Sequence, residues 1–289
     1  VSLVFLVVAL YRANYLVVPQ ILSIPALLAS LLLLFGSLIL HALCWREILR
    51  HSGYEVKTDD CVAGTGLSVF GKYIPGKIWP VVGRAAYIAQ RSQYRVGELS
   101  AMSLNAEFVL HWMGLIFGTI GLLVIGGFHA WGILTLCLWA VLTVVIFNSF
   151  FHSTAERVVN KLLKKNIRIP SLTLRSVISV IPWFFMHWAV LLLGYNLFVL
   201  SLTGGSVPWN AGFGYALAKT LGVMAVIVPG GIGVREGVLV GYLTMAGYTL
   251  PEATTISIVS RLWALAGEIF IFLVGAVLSR HRMRGQLVQ

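Results

Sequence analysis

The sequence predicts an all-α polytopic membrane protein, built as an inverted repeat with two Pro-Gly-broken segments. Of the 289 residues, 58% are hydrophobic and only 11% charged, far outside the soluble globular range. Runs such as Ile21 to Cys44, Leu115 to Ile125 and Ile269 to Leu278 are too long and too apolar for a soluble core. Two short apolar segments are interrupted: Gly71-Lys72-Tyr73-Ile74-Pro75-Gly76-Lys77-Ile78-Trp79, and Ile227-Val228-Pro229-Gly230-Gly231-Ile232-Gly233-Val234-Arg235-Glu236. Within a bilayer, non-helical backbone survives only where it is buried in protein or lines a watery cavity. Paired interruptions in corresponding halves point to a transporter's binding site.

A span needs about 20 apolar residues, so full crossings are expected at 1–18, 19–45, 101–126, 130–150, 176–202 and 253–279. The stretches 61–74, 77–90 and 234–248 are too short to cross comfortably, and Gly212, Gly214, Lys219 and Gly222 weaken 209–228. The chain opens at Val1 with no Met and no basic n-region, which predicts a first span clipped at its start and no signal peptide. No stretch is left for a soluble domain, so 1–289 reads as one transmembrane domain.

Basic residues collect in three places: Arg84, Arg91 and Arg95; Arg157, Lys161, Lys164, Lys165, Arg168 and Arg175; and Arg280, Arg282 and Arg284. The positive-inside rule assigns such clusters to the cytoplasm. The predicted multi-pass topology therefore has a cytoplasmic 151–175 loop and a cytoplasmic C-terminus. Segment 61–90 then starts and ends inside and 209–248 starts and ends outside, each as a re-entrant hairpin or as two short spans. The net charge of +11 is explained by topology and anionic lipid, not by nucleic acid. Cys44, Cys61 and Cys137 are scattered, and the seven histidines form no metal-binding spacing. No P-loop occurs. Neither a metal, a cofactor nor a catalytic residue is expected.

Pro75 and Pro229 lie 154 positions apart (229 − 75). The same offset matches Gly76 with Gly230, Ile78 with Ile232, Gly83 with Gly237, Glu98 with Glu252, Ser103 with Ser257 and Gly121 with Gly275. Repeat halves are expected at about 19–150 and 176–279, entered from opposite sides of the membrane.

Charged residues inside spans cost roughly 2.5–3.5 kcal/mol each and point to function. Outside the loops these are Lys72, Lys77, Lys219, Arg235 and Arg261 against Glu107, Glu236 and Glu268, with Arg84 at an edge. The positive balance favours an anionic group such as a phosphate. At the second break, Pro229, Gly230, Gly231 and Gly233 leave amides open, and a helix starting near Val234 would aim its N-terminal dipole there. Arg235 adds a planar cationic fork suited to phosphate oxygens; Glu236 either serves the site or merely starts the helix. At the first break, Lys72 and Lys77 either serve the site or snorkel. Arg261 and Glu268 share a helix face, as do Glu107 and His111, and the offset sets Glu107 opposite Arg261 as a prospective structural pair. His111 and His187 read as packed side chains rather than a proton relay.

The motif Pro229-Gly-Gly-Ile-Gly-Val-Arg235-Glu236-Gly resembles the flippase-like integral membrane family that includes the transmembrane domain of lysylphosphatidylglycerol synthetases. Tyr73-Ile74-Pro75-Gly76 with Gly83-Arg84, and Ala106-Glu107 opening the next span, support it. The resemblance implies movement of lipids or lipid-linked glycans between leaflets. The soluble domain that attaches the amino acid in the synthetase branch is not expected here, nor is its catalysis.

The expected function is translocation of a lipid or lipid-linked glycan with an anionic, phosphate-containing headgroup. Arg235, Arg84 and Arg261 are expected to hold the phosphate, and Glu107, Glu236 and Glu268 to position them or meet a cationic headgroup. Expected partners are membrane lipids and a glycosyltransferase or lipid-modifying enzyme, with no nucleic acid. The alternatives are an ion-coupled transporter of a small anion and a non-transporting membrane subunit of such an enzyme system.

Overall fold

Hydrophobic length sorts the helices into two sizes. A computed structural model describes residues 20–74, 78–126, 130–148, 174–204, 210–225, 231 and 233–286. In chain order the first half gives α1 (Ile24–His51), α2 (Thr58–Ser68) running into a 3-10 turn (Val69–Tyr73), α3 (Trp79–Ala89), α4 (Val96–Gly126) and α5 (Ala130–Phe147). The second gives α6 (Leu174–Thr203), α7 (Ala211–Met224), α8 (Val234–Met245) and α9 (Leu250–Gln286). Among the described residues there is no strand. Helices α1, α4, α5, α6 and α9 are long and apolar enough to cross a membrane. Their outer faces carry exposed Leu28, Leu32, Val124, Leu134, Val141, Phe185 and Leu273, an apolar surface suited to lipid rather than water.

The expected long spans are present, with ends moved by a few residues. α4 starts at Val96 rather than 101, and α9 at Leu250 rather than 253. Polar caps extend both: Glu98 lies in the first turn of α4, and Glu252 accepts the Thr249 amide at 2.9 Å ahead of α9. The expected span 1–18 and nearly all of the 151–175 loop lie outside the described residues. Helices α2, α3, α7 and α8 have 11, 11, 14 and 12 residues. At about 1.5 Å per residue, none covers a hydrocarbon core of about 30 Å alone. Instead α2 packs on α3, and α7 on α8.

The helix boundaries follow the 154-residue offset. Adding it carries α2 to 212–222 against Ala211–Met224, α3 to 233–243 against Val234–Met245, and α4 to 250–280 against Leu250–Gln286. The chain also divides into two compact units. The first comprises Val1–Leu34, Gly114–Leu136 and Ala189–Gly267, and the second Phe35–Met113, Cys137–Trp188 and Glu268–Gln289. The offset carries 35–113 onto 189–267 and 114–135 onto 268–289, so each segment of one unit lands on a segment of the other.

Small residues let the helices inside each unit meet closely. A Cβ on Gly66 of α2 would collide with the Ile271 carbonyl of α9, and one on Gly275 would fall 3.0 Å from the Ala63 carbonyl. In the first unit, a Cβ on Gly121 would collide with the Phe213 side chain on α7. Gly121 and Gly275 are matched by the offset, and α7 corresponds to α2. Such contacts let backbones approach without a hydrophobic driving force. We expect Gly66→Ala to lose about 1–3 kcal/mol through overpacking, lowering the thermal unfolding midpoint in detergent. Gly241→Ala, where no atom lies within 4 Å, should leave it unchanged or raised.

Candidate functional site

In the first unit, the second break is a left-handed backbone held by a buried carboxylate. Gly231 and Gly233 have φ of +67° and +84°, and a Cβ on Gly231 would meet the Gly222 carbonyl at 2.6 Å. Glycine is therefore required at Gly231 on both counts. The Gly233 amide donates to Glu236 Oε2 at 2.7 Å, and Arg261 Nε donates to Glu236 Oε1 at 2.5 Å. Glu236 thus starts helix α8, the plainer of its two readings, and also forms an ion pair with α9. Pro229 and Gly230 lie outside the described residues.

Arg235 follows a different route. Its Nη2 donates to the Tyr215 hydroxyl at 3.3 Å, and its guanidinium carbon sits 5.1 Å from the centre of that ring. Tyr215 stacks on Tyr195 at 4.3 Å, and Trp263 meets Tyr215 edge-on at 5.5 Å. Trp263 Nε1 donates to Ser30 Oγ at 3.2 Å, which fixes the indole in turn. Arg235 is half-buried against an aromatic wall that its own helix does not supply.

In the second unit, the first break is tied down at its leading edge. Lys72, on the 3-10 turn, forms an ion pair with Glu268 of α9, and the Tyr73 hydroxyl donates to Glu268 Oε2 at 2.8 Å. Lys72 is therefore paired rather than merely snorkelling, with Glu268 nearly fully buried. Pro75, Gly76 and Lys77 lie outside the described residues.

Arg84 of α3 is only 2% exposed. Its Nε donates to Ser103 Oγ at 3.0 Å, and its Nη2 to the Ser103 carbonyl at 2.7 Å and to Glu107 Oε1 at 3.0 Å. The Trp45 ring lies 4.7 Å from the guanidinium carbon. Much of the fork expected to receive a phosphate is thus spent on α4. Glu107 also meets His41 of α1 at 3.5 Å and His111 at 3.7 Å.

In place of the expected Glu107–Arg261 pair, Glu107 pairs with Arg84 and Arg261 with Glu236. The reason lies in the short helix after each break, which brings a charge against the long helix that follows. The separations are 23 positions in the first half (107 − 84) and 25 in the second, with the signs exchanged. Sequence reasoning missed His41, Tyr73 and Tyr215. Only Tyr73 carried a signal, its place inside the first break. Among the described residues, no group of three His, Cys, Asp or Glu side chains could hold a metal ion.

The family model for the lysylphosphatidylglycerol synthase TM region matches residues 1–275. The chain belongs to that family. No curated protein matches the chain.

Removing one member of a buried ion pair strands the other charge, at about 3–5 kcal/mol. Glu236→Ala and Arg261→Ala should each lower the yield of monodisperse protein on size exclusion, and Glu236→Ala/Arg261→Ala should recover part of it. Arg235→Ala should elute as the unaltered protein does.

Proposed function

We propose that this member of the lysylphosphatidylglycerol synthase TM region family translocates a lipid with an anionic, phosphate-containing headgroup across the bilayer. The observation that carries the reading is Arg235. It stands in the first turn of α8, two residues after the left-handed Gly233, and the Tyr215 ring packs against its guanidinium. The first turn of a helix and a planar cation together make an anion-binding arrangement, beside a Gly233 amide that Glu236 already accepts. Arg84, Arg261 and Lys72 each meet a carboxylate, so Glu107, Glu236 and Glu268 act chiefly as positioning groups.

The short hairpins α2–α3 and α7–α8 are the parts we assign to the transport pathway, as re-entrant elements of two inverted halves. The common offset of helices, units and glycine contacts supports that assignment. The basic 151–175 loop and the C-terminus are assigned to the cytoplasm by their charge. No step of this reading needs a catalytic group, and the protein is proposed to be a transporter that can serve a lipid-modifying or glycosyltransferase enzyme.

Proteoliposomes with fluorescent headgroup-labelled lipids test it. Leaflet exchange of anionic lipid should require the protein. It should fall about ten- to a hundred-fold in Arg235→Ala, the loss of a charge-assisted contact worth roughly 1.5–3 kcal/mol. Exchange untouched by Arg235→Ala would remove Arg235 from the site. No exchange of phospholipids or polyprenyl-phosphate lipids, with uptake of a soluble anion, would replace the lipid reading with a small-anion transporter.

A further inference from the structure

Three histidines of the second unit cluster about Glu107, the carboxylate that positions Arg84. Glu107 Oε1 lies 3.0 Å from Arg84 Nη2 and 3.5 Å from His41 Nε2, so one oxygen serves both. Glu107 Oε2 lies 3.7 Å from His111 Nε2. The His41 and His187 ring centres are 5.5 Å apart. His187 Nδ1 lies 2.7 Å from the Ser37 carbonyl, which can only accept, so Nδ1 carries a proton. These residues come from α1, α3, α4 and α6, with the imidazoles of α1 and α4 beside the Glu107 carboxylate and that of α6 beside His41.

The two imidazole–carboxylate distances are longer than the 2.7–3.2 Å of a good N–H···O bond, yet they lie within ion-pair reach. The contacts therefore become strong only when an imidazole is charged. With neutral imidazoles the Arg84–Glu107 pair sums to zero, and one proton makes the group cationic. Arg84 against the same carboxylate disfavours a metal cation there. The Glu107 side chain keeps 24% of its surface accessible and His41 keeps 21%, so neither is sealed inside the unit. The other titratable groups around this cluster are Cys44 and Glu47 of α1 and Asp60 and Cys61 of α2. Glu47 is already engaged by Arg46 at 3.1 Å and Arg50 at 2.6 Å. Histidine is the side chain that changes charge near neutral pH. The offset carries His41 to Tyr195 and His111 to Leu265, so the first unit lacks imidazoles at both matching positions.

We propose that His41, His111 and Glu107 form a proton-binding site that couples transport to a proton gradient, resting on the lipid-translocation reading above. A proton bound there supplies the positive charge that accompanies an anionic headgroup, and its release on the other side resets the neutral pair.

The test uses proteoliposomes holding labelled anionic lipid, with about pH 6 on one side and about pH 7.5 on the other, either side of the ordinary histidine value near 6.5. Exchange by the unaltered protein should rise several-fold over the rate at equal pH, and His41→Gln/His111→Gln should exchange at one rate with or without the gradient. An unaltered protein indifferent to the gradient, or a double variant that responds as strongly, overturns the proposal. Histidine-selective NMR of the full chain in detergent, from about pH 5 to about pH 8, gives a readout independent of lipid. The His41 and His111 titrations should both move in Glu107→Gln. If neither moves, the proton site fails. If both move while no lipid is exchanged by any protein, the site stands and its coupling to lipid fails with the lipid reading.

Discussion

Burial of charge inside apolar helices is the constraint on which the rest of this structure depends. An isolated ion in a span is costly, and three of the ion pairs described here join different helical elements. Arg84 of α3 reaches Glu107 of α4, Glu236 of α8 reaches Arg261 of α9, and Lys72 reaches Glu268 of α9. These pairs tie the 3-10 turn, α3 and α8 to long helices. α3 and α8 are too short to cross the hydrocarbon alone, and their helical packing is confined to a hairpin partner and nearby long helices. The ion pair adds a directional tie that non-directional apolar contact cannot supply. Bringing two charges out of water costs several kcal/mol per ion, which makes the pairs stronger evidence for position than for stability.

Some positions matched by the 154-residue offset carry different chemistry. Glu107 corresponds to Arg261 and His41 to Tyr195, while the positive member of the first pair and the negative member of the second both sit on a short helix. An exchange of sign keeps each pair neutral and so preserves packing. It also lets the neighbourhoods diverge. Around Glu107 gather groups that can take up a proton, whereas Arg235 lies against Tyr215, itself packed on Tyr195 and Trp263, rings that do not change charge near neutral pH. One neighbourhood is titratable near neutral pH and the other carries fixed charge.

Much of this was legible in the sequence, because bilayers impose simple rules. Length and hydropathy identified the five long helices, and the Pro-Gly breaks marked the hairpins. Glycine and glutamate matches at one offset anticipated the correspondence of helix boundaries. Pairing was not legible: Glu107 and Arg261 share an offset but not a contact partner, and their true partners depend on how each hairpin folds back. Arg84 read as an edge residue because the sequence does not disclose that α3 turns it onto Ser103 and Glu107. His41 went unnoticed for the same reason, since its meaning comes from three other helices.

The described edges of both breaks are held by carboxylates. At the second break Glu236 accepts both the Gly233 amide and Arg261, so the turn and the pair share one acceptor. At the first break Glu268 accepts both Lys72 and the Tyr73 hydroxyl. A phosphate that draws the cation away from either carboxylate would leave that carboxylate buried and uncompensated, and the turn it holds would loosen with it. Binding an anion and freeing a break are then one event rather than two. The balance must be restored by some other positive charge, and Glu107 is flanked by imidazoles from its own helix and from α1. In the proposed transport cycle, a proton bound there would offset the charge while the backbone stays satisfied.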